Sequence, residues 1–513
     1  MKPILAIILT AFIFILSVAK TGAGEAGDTT TQPTVNPPLK TDSPAAGTHQ
    51  GKRYNVIFIA VDDLNDWVGC FGGNPQVKTP NLDRLAKERA MVMNKAYCPS
   101  TVCCPTRSAL LTGKRASTIG VYGNDQNLKS APKGKDVVTL PEYFGKHGYH
   151  TLSAGKIFHK HGDDHGQWAF QEVANPGGNN KGIVWEKSPP SVDGIEAGGT
   201  DFAWGACKAS PEETKDYLAC KWAADQLQRD FDGKPFFLAL GISKPHLPWY
   251  VPQQFFDLYP LDQIKPTELM RDDLNDIINK SGKAIFNPDS RFLLADKANF
   301  HKEAQQAYLA SISYVDYCVG MLFEALEKSK YGDNTIIMLW GDQGWHLGEK
   351  MKDGKTDLWE ESARVPFIVR VPDLTPGDIK CEGVVNLLDM YPTLVELCGL
   401  PPNAENEGRS FVSLLKDPKM EWNHPTLTTY QFKNHSLTDG RYRYTNYGGK
   451  ADGAEELYDH SIDPMEHNNL AAKPESQEII ARLKKYLPTH NEPDSPRSKE
   501  GKEDKAEKKG GKK

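Results

Sequence analysis

The chain lacks both a long hydrophobic segment and an excess of positive charge. Its one extended apolar run, Ile4 to Val18, is shorter than the roughly 20 residues that a membrane-spanning helix needs. The formal net charge of the 513 residues is −6, although the end from Arg497 to Lys513 is basic. A body this acidic does not attract polyanions through its overall field, so we expect no nucleic-acid binding. An anionic polymer would have to bind in a local basic pocket.

Cysteine is scarce, and the sequence has no internal repeats. The nine cysteines are an odd number. Cys207 and Cys220 flank a polar loop from Lys208 to Tyr217, and we predict a disulfide between them. The pairing of the other cysteines stays open.

The N-terminal composition predicts export. Lys2 precedes the apolar run, and Ser17-Val18-Ala19 provides the small residues of a cleavage site. We therefore expect a signal peptide over residues 1–19 and a secreted or periplasmic protein, with no stable membrane insertion after cleavage. Disulfides form in such compartments.

The rest of the chain is longer than one hydrophobic core usually supports. Residues 20–52 are rich in Thr, Pro, Gly and Ala, which is typical of a disordered linker. From about Trp422 onward the segments alternate as β-strands do. We predict a catalytic domain over residues 53–415, a C-terminal subdomain over 416–490, and a disordered Lys-rich tail over 491–513.

Two nearly continuous apolar runs predict buried strands of an α/β sheet. Tyr54 to Val61 is followed by Asp62-Asp63, and Thr335 to Trp340 is followed by Gly341-Asp342-Gln343. Ligands of open α/β sheets bind beyond the carboxyl ends of the strands, so we expect these polar residues in one site. The pattern also predicts a strand over 236–240 and helices over 80–88, 303–327 and 387–399.

The acidic residues at these strand ends indicate a metal site. Asp62, Asp63 and Asp342 would repel one another if they converged without partners, and a divalent cation resolves that repulsion. The amide oxygen of Gln343 is a further ligand that a hard cation accepts. Asp62-Asp63 taken alone would also fit a helix-capping pair.

Residues 103–115 carry the most informative motif. Cys103-x-Pro105-x-Arg107 is followed by Leu111-Thr112-Gly113-Lys114. This extended pattern resembles the signature of the type I sulfatases of the alkaline phosphatase superfamily. Gly155 to His159 and Gly344 to Glu349 are most similar to the iduronate-2-sulfatase-like group. The resemblance covers roughly residues 53–475, with the main motifs in family order.

The resemblance implies a fold: an α/β protein with a large mixed, mostly parallel sheet flanked by helices, and a smaller C-terminal domain built on an antiparallel sheet. It implies that a formylglycine-generating or sulfatase-maturing enzyme oxidises Cys103 to formylglycine. One hydroxyl of the hydrated aldehyde attacks sulfur, and the second then releases sulfate. It also implies calcium as the metal, bound by Asp62, Asp63, Asp342 and the modified Cys103. The family usually has His or Asn where this chain has Gln343.

The resemblance assigns further residues to the reaction. Arg107 would stabilise the ionised diol, and Lys156, His159 and Lys355 would hold the sulfate oxygens. His246, in Lys244-Pro245-His246, is our general acid, because a sugar alcohol leaves poorly without a proton donor and His titrates near neutral pH. A structural salt bridge stays open for Arg107, as does a surface position for Lys355.

Two more histidines are candidate substrate-binding residues. His346 would shape the substrate pocket or orient a ligand, and His435 would close the sugar pocket. We expect a secreted sulfatase that removes sulfate esters from a sulfated saccharide, acting from chain ends. The alternatives are a phosphoester or phosphonate hydrolase of the same superfamily, and an inactive polyanion-binding protein in which Cys103 stays a thiol.

Overall fold

The computed structural model describes residues 53–159, 164–178, 182–195, 202–449 and 453–497. The predicted signal peptide and linker, residues 1–52, lie outside the described residues, as do residues 498–513. Residues 491–497 were assigned to the disordered tail, but the structure packs them on the catalytic domain. Glu492 N–H donates to Ser117 O at 2.8 Å, and Ser495 N–H donates to Gly120 O at 2.8 Å. These bonds correct the predicted boundary.

The described residues form the following strands: β1 Asn55–Val61, β2 Met91–Met93, β3 Ala96–Tyr97, β4 His150–Gly155, β5 Glu172–Ala174, β6 Ile183–Lys187, β7 Trp204–Cys207, β8 Phe236–Ile242, β9 Trp249–Pro252, β10 Thr335–Gly341, β11 His346–Leu347, β12 Asp353–Gly354, β13 Phe367–Arg370, β14 Ile379–Cys381, β15 Val385–Asn386, β16 Thr426–Thr429, β17 Asn434–Thr438, β18 Tyr442–Tyr447 and β19 Glu455–Asp459.

The α-helices in the same part of the chain are α1 Pro80–Glu88, α2 Cys103–Thr112, α3 Ala116–Ile119, α4 Leu140–Lys146, α5 Lys215–Gln226, α6 Gln253–Phe256, α7 Ser290–Ala298, α8 His301–Lys328, α9 Glu360–Ala363, α10 Met390–Leu397, α11 Val412–Lys416 and α12 Gln477–Lys484. The predicted strands and the first two predicted helices are present with shifts of at most two residues at either end. The third begins as a 3-10 turn over Leu387–Asp389 before α10.

The large sheet has eight strands in the order β14-β2-β13-β10-β1-β8-β4-β5. The strands from β10 to β5 are parallel to one another, whereas β13 is antiparallel to both neighbours. Val61 pairs with Gly341, and Gly155 pairs with Gly241. The carboxyl ends of β10, β1, β8 and β4 therefore lie side by side at one edge. This confirms the predicted mixed, mostly parallel sheet.

Helices cover both faces of the sheet. Ile57 and Ile59 of β1 pack in one core with residues of α5 and α8. Val56 and Phe58 pack in a second core with residues of α2, α4 and α10. Burying a side chain of this size stabilises the fold by about 1.5–3 kcal/mol. Because both faces of β1 are buried, its sequence is apolar from Val56 to Val61.

Helix α8 is the longest in the described part of the chain. By length and composition it would suffice to cross a membrane, but 78% of its most apolar window is buried inside the protein. Its apolar residues supply much of the first core.

The C-terminal residues form the predicted antiparallel sheet, with strand order β16-β17-β18-β19. Leu437 and Leu457 of this sheet pack against Ile480 and Leu483 of α12. The sheet is bonded to the catalytic domain at β16, where Thr429 N–H donates to Pro99 O at 2.9 Å. The end of β16 is therefore bonded to Pro99, which lies four residues before Cys103 in the chain.

The predicted disulfide is wrong. Cys207 lies in β7 and Cys220 in α5, and both are free thiols. Cys220 packs with Cys318 in the core that α5 and α8 share. Two cysteines that flank a loop pair only if their side chains face each other at bonding distance, and in this fold the two thiols are not bonded.

Candidate active site

Four neighbouring strands deliver polar residues to one edge of the sheet. Asp342 follows β10, and Asp62 and Asp63 follow β1. Lys156 follows β4, and His246 lies four residues beyond β8. The predicted site is therefore assembled by the parallel register of these strands.

A glycine allows β4 to approach β8 at this edge. Gly155 has φ of +75°, and a Cβ there would lie 2.0 Å from the carbonyl oxygen of Gly241. Only glycine combines this backbone conformation with so close an approach. Gly155 thereby sets the position of Lys156, the next residue.

Cys103 is the first residue of α2, and its Sγ lies among the residues of the strand ends. It is 3.5 Å from Asp62 Oδ1, 3.3 Å from Gln343 Nε2 and 3.0 Å from Lys355 Nζ. Burial, together with the charge of Asp62, raises the pKa of the Cys103 thiol to about 12. An unmodified Cys103 therefore stays a thiol at neutral pH and is not a thiolate nucleophile.

Two lysines face the carboxylates. Lys156 Nζ donates to Asp62 Oδ2 at 2.5 Å, and Lys355 Nζ contacts Asp63 Oδ1. Burial lowers the pKa of both lysines, but Asp62 beside Lys156 and Asp63 beside Lys355 more than reverse it, so both pKa values are raised. Both lysines are therefore cationic in the folded protein.

The same charges act on Asp62. Burial raises the pKa of this carboxyl, but Lys156, His246, Arg107 and Lys355 together hold it well below its usual range. Asp62 is therefore an anion at the centre of a mixed cluster of charges.

Arg107 lies one turn of α2 beyond Cys103 and is fully buried. Its Nε donates to Asp342 Oδ2 at 2.8 Å, and one terminal nitrogen is 3.4 Å from Asp62 Oδ1. Another donates to the carbonyl of Ile157 at 3.1 Å. The geometry supports the salt-bridge role that the sequence left open: Arg107 holds two acidic residues beside Cys103.

The donor set fits a divalent cation. Ligand atoms of Asp62, Asp63, Cys103 and Asp342 all lie within 4.8 Å of one another. Asp63 Oδ2 and Gln343 Oε1 are buried oxygens without a hydrogen-bond partner. Buried oxygens of this kind need a partner, and hard cations such as Ca²⁺ bind carboxylate and amide oxygens. The structure thus brings together all five predicted ligands.

His246 stands at the rim of this cluster, with its side chain 37% exposed and Nε2 3.9 Å from Asp63 Oδ2. Its Nδ1 lies 2.6 Å from the carbonyl oxygen of Leu247. A carbonyl only accepts, so Nδ1 carries hydrogen and Nε2 is the atom that faces the site. When the ring carries a second proton, on Nε2, this orientation suits a proton donor to a leaving group.

The side chain of His346 is fully buried and is not exposed at the surface of the site. Its Nε2 lies 3.2 Å from Asp357 Oδ1, and Lys352 Nζ lies 2.9 Å from Asp357 Oδ2. Burial raises the pKa of Asp357, but Lys352 and His346 hold it well below its usual range. His346 thus braces the loop that carries Lys355, and of its two predicted roles the structure supports the orienting one.

His435 is the other predicted substrate-binding residue, and its contact with substrate stays a prediction. Its Nδ1 lies 3.0 Å from Thr429 Oγ1, and its Nε2 lies 2.9 Å from Asn491 Oδ1. Both ring nitrogens are therefore bonded within the protein.

His159 lies three residues beyond Lys156 and is half-buried. Its contact with sulfate stays a prediction.

Sequence reasoning missed three supporting residues: Lys244, Asp216 and Asp357. Lys244 lies in the predicted Lys244-Pro245-His246 motif, and Asp357 lies two residues beyond the predicted Lys355. Spacing along the chain does not show which side chain braces the backbone. A cavity of about 720 Å³ also lies apart from the cluster, lined by Asp66, Glu360, Arg364 and His460 among others. None of the predicted catalytic residues lines it.

Comparisons with known proteins agree with this geometry. Residues 54–400 match the family model described as Sulfatase. Residues 348–492 match the model described as N-sulphoglucosamine sulphohydrolase, C-terminal. The first match alone covers more than half of the chain.

The chain belongs to the sulfatase family.

Named relatives extend the likeness over most of the sulfatase chain. A sulfatase of Formosa agariphila is 38% identical over 468 residues, covering 88% of this chain and 90% of that protein. Iduronate 2-sulfatase of Mus musculus is 30% identical over 408 residues, covering 70% and 71%. These relatives confirm the predicted family and the predicted likeness to iduronate-2-sulfatase.

Solved structures confirm the fold. A protein in complex with its substrate D-glucosamine-2-N,6-O-disulfate has a TM-score of 0.66 and 20% identity, covering 85% of this chain and 97% of the other. The phosphonate monoester hydrolase of Agrobacterium radiobacter has a TM-score of 0.67 and 19% identity, covering 84% and 94%. The family model and the named relatives show that this chain is an enzyme, a sulfatase that hydrolyses sulfuric esters.

Proposed function

We propose that this sulfatase removes sulfate esters from the terminal sugars of a sulfated carbohydrate outside the cytoplasm, using formylglycine at position 103 and calcium. One observation carries the proposal. Cys103, the two cationic lysines, the carboxylate cluster and the histidine meet at one sheet edge, and each occupies a family motif position.

The buried thiol supports modification of Cys103. With its pKa raised to about 12 by burial and by Asp62, the thiol has no nucleophilic form near neutral pH. The hydrated aldehyde of formylglycine would supply an oxygen nucleophile at the start of α2. A sulfatase-maturing enzyme must therefore act on this chain before it is active.

The residues around Cys103 divide the remaining tasks. Lys156 and Lys355 provide positive charge for the sulfate oxygens, and a buried cation stabilises an anion more than an exposed one does. Asp62, Asp63, Asp342 and Gln343 would hold calcium, which neutralises them and polarises the sulfate ester when bound. Arg107 keeps Asp62 and Asp342 in place. His246 acts as an imidazolium: Nδ1 keeps its hydrogen, and the proton on Nε2 passes to the leaving sugar oxygen, which leaves the ring neutral.

Sulfate release from defined saccharides tests the proposal. The panel contains 2-O-sulfated uronates, sulfated hexosamines and sulfated galactose, with aryl phosphates alongside. The protein is first shown to carry an aldehyde at position 103 with an aldehyde-reactive probe. We expect release from one class of sulfated sugar, loss of release in Cys103→Ala, and restoration by Ca²⁺ after chelation. Metal content measured on the purified protein provides a readout independent of turnover.

Phosphate release without sulfate release would contradict the proposal. It would favour the phosphoester or phosphonate hydrolase, which the fold likeness to a phosphonate monoester hydrolase also accommodates. Binding of sulfated polymer by both wild-type protein and Cys103→Ala, without turnover in either, would favour the inactive binding protein. Early sulfate loss from the interior of long polymers would contradict action from chain ends.

A further inference from the structure

The segment that presents His246 is unusually well braced for a loop. It follows β8 and spans residues 243–249. Ser243 N–H and Lys244 N–H donate to the two oxygens of Asp216, at 2.9 and 3.0 Å. Trp249 Nε1 donates to the carbonyl of Pro245 at 2.6 Å. The start of the segment is therefore tied to α5, and Trp249 Nε1 cross-links its interior. Its far end is tied to the residue before β7, because Trp249 N–H donates to the carbonyl of Ala203 at 2.9 Å.

The middle of the segment is held by Lys244. Its side chain turns back along the loop, and Nζ donates to His246 O at 3.0 Å and to Pro248 O at 2.5 Å. The Leu247 carbonyl between them is the partner of the His246 ring. Lys244 thus fixes the two carbonyls on either side of the one that fixes the imidazole.

Burying the amine of Lys244 at this position costs free energy of folding. It is only 7% exposed, and burial lowers its pKa to about 8 even though the charge of Asp216 opposes the shift. Backbone prolines alone do not direct a histidine ring, and a buried amine without acceptors would destabilise the fold. The buried amine of Lys244 has two carbonyl acceptors in this loop, and these bonds offset the cost of burying it and fix the position of the loop.

We propose that Lys244 is a positioning residue for the general acid: its amine holds the carbonyls of His246 and Pro248 and so keeps His246 Nε2 directed at the reacting centre. This inference rests on the proposed role of His246 as proton donor. Asp62 and Asp63 of the cluster around Cys103 act on the Lys244 amine through their charge. The hydrogen bonds of that amine go to the loop carbonyls of His246 and Pro248, so we assign its effect to the loop.

Leaving-group dependence distinguishes this role from a merely structural one. A sugar alcohol needs a proton to leave, whereas 4-nitrophenolate leaves readily without one. In Lys244→Met, kcat/KM for the preferred sulfated sugar should fall about 10- to 100-fold more than kcat/KM for 4-nitrophenyl sulfate, because general-acid catalysis contributes on the order of 10²- to 10⁴-fold. His246→Ala should show the same selectivity with a larger amplitude.

Lys350→Met is the matched control. Lys350 is also buried, and its Nζ donates to Asp273 Oδ1 at 2.8 Å and contacts the carbonyl of Glu466. Lys350→Met should lower the free energy of unfolding but change kcat/KM for the sulfated sugar and for 4-nitrophenyl sulfate by the same factor. Equal losses on the two substrates in Lys244→Met would likewise mark Lys244 as structural and overturn the proposal.

A double variant tests whether Lys244 acts through His246. In a His246→Ala background, Lys244→Met should change sugar-sulfate turnover by less than about twofold, because the effect that it transmits is already lost. Additive losses would contradict transmission through His246.

A readout without turnover separates failure of this inference from failure of the proposed function. The His246 ring resonance, assigned by its absence in His246→Ala, should shift or broaden in Lys244→Met and stay unchanged in Lys350→Met. An unmoved resonance would overturn the positioning role even if the wild-type protein released no sulfate from any substrate.

Discussion

At the scale of single residues, Gln343 shows how a departure from a family pattern can be read physically. The position normally offers an imidazole or a short amide, and the longer side chain of Gln343 still reaches the cluster. Its Nε2 lies 3.3 Å from Cys103 Sγ, while Oε1 is buried without a partner. The amide nitrogen is thus bonded within the protein, whereas the amide oxygen could serve as a ligand of a cation.

His435, whose two ring nitrogens are bonded within the protein, makes stability depend on pH. Burial lowers its pKa to about 4. The unfolded chain binds a proton below about pH 6.5, whereas the folded one does not until pH 4, so stability falls as the pH drops through that window. At pH 5 the loss from this group should be about 2 kcal/mol.

Urea denaturation of wild type and His435→Gln at pH 7.5 and pH 5 measures this contribution. The variant should lose less stability than wild type between the two pH values. His490→Gln is the control, because that side chain is 74% exposed and lies outside the core. An unchanged pH dependence in His435→Gln would show that the ring is not buried as a neutral group.

At the scale of secondary-structure elements, helix α1 begins where a distant residue satisfies its free N–H groups. The first turn of α1 lacks a side-chain cap from its own N-cap residue. Asp316 of α8 supplies it: Oδ1 accepts from Leu82 N–H at 2.8 Å, and Oδ2 accepts from Asn81 N–H at 3.2 Å. The local sequence therefore placed α1, but its cap came from a residue more than 230 positions away.

Asp316→Ala should destabilise the protein by about 1–3 kcal/mol, because it leaves buried donors of α1 without acceptors. Chemical denaturation at pH 7.5 provides the measurement. Glu324→Ala, on the same helix, removes only an exposed contact with Lys328 and should cost less than about 1 kcal/mol. Equal effects of the two substitutions would contradict the capping role.

At the scale of the whole molecule, one buried arginine joins the small sheet to the catalytic domain. Arg443 of β18 is 1% exposed; its Nε lies 2.7 Å from Glu466, and its terminal nitrogen contacts Glu360 of α9. His460 Nε2 also lies 2.8 Å from Glu466. Glu360, His460 and Glu466 resemble a metal-binding group in composition, but Arg443 already supplies the positive charge.

Arg443→Ala should destabilise the protein by about 3–5 kcal/mol, because it leaves buried carboxylates without their counter-charge. Thermal and chemical unfolding report the change. Arg441→Ala is the neighbouring control: its ion pair with Asp459 is 59% exposed on the arginine side and should contribute at most about 1 kcal/mol. A small effect of Arg443→Ala would show that the two parts of the molecule are held together elsewhere.

The sequence by itself determined the family, the α/β class, the long strands and helices, and the residues around Cys103. Apolar runs and motif spacings involve residues that are close together in the chain, so they can be recognised from the sequence alone. Only the tertiary structure decided what each polar side chain bonds. It assigned Arg107 to Asp62 and Asp342, His346 to Asp357, His435 to Thr429 and Asn491, and Lys244 to the His246 loop. It also left Cys207 and Cys220 unpaired. These contacts depend on side-chain direction across distant segments, and spacing along a chain carries no information about that.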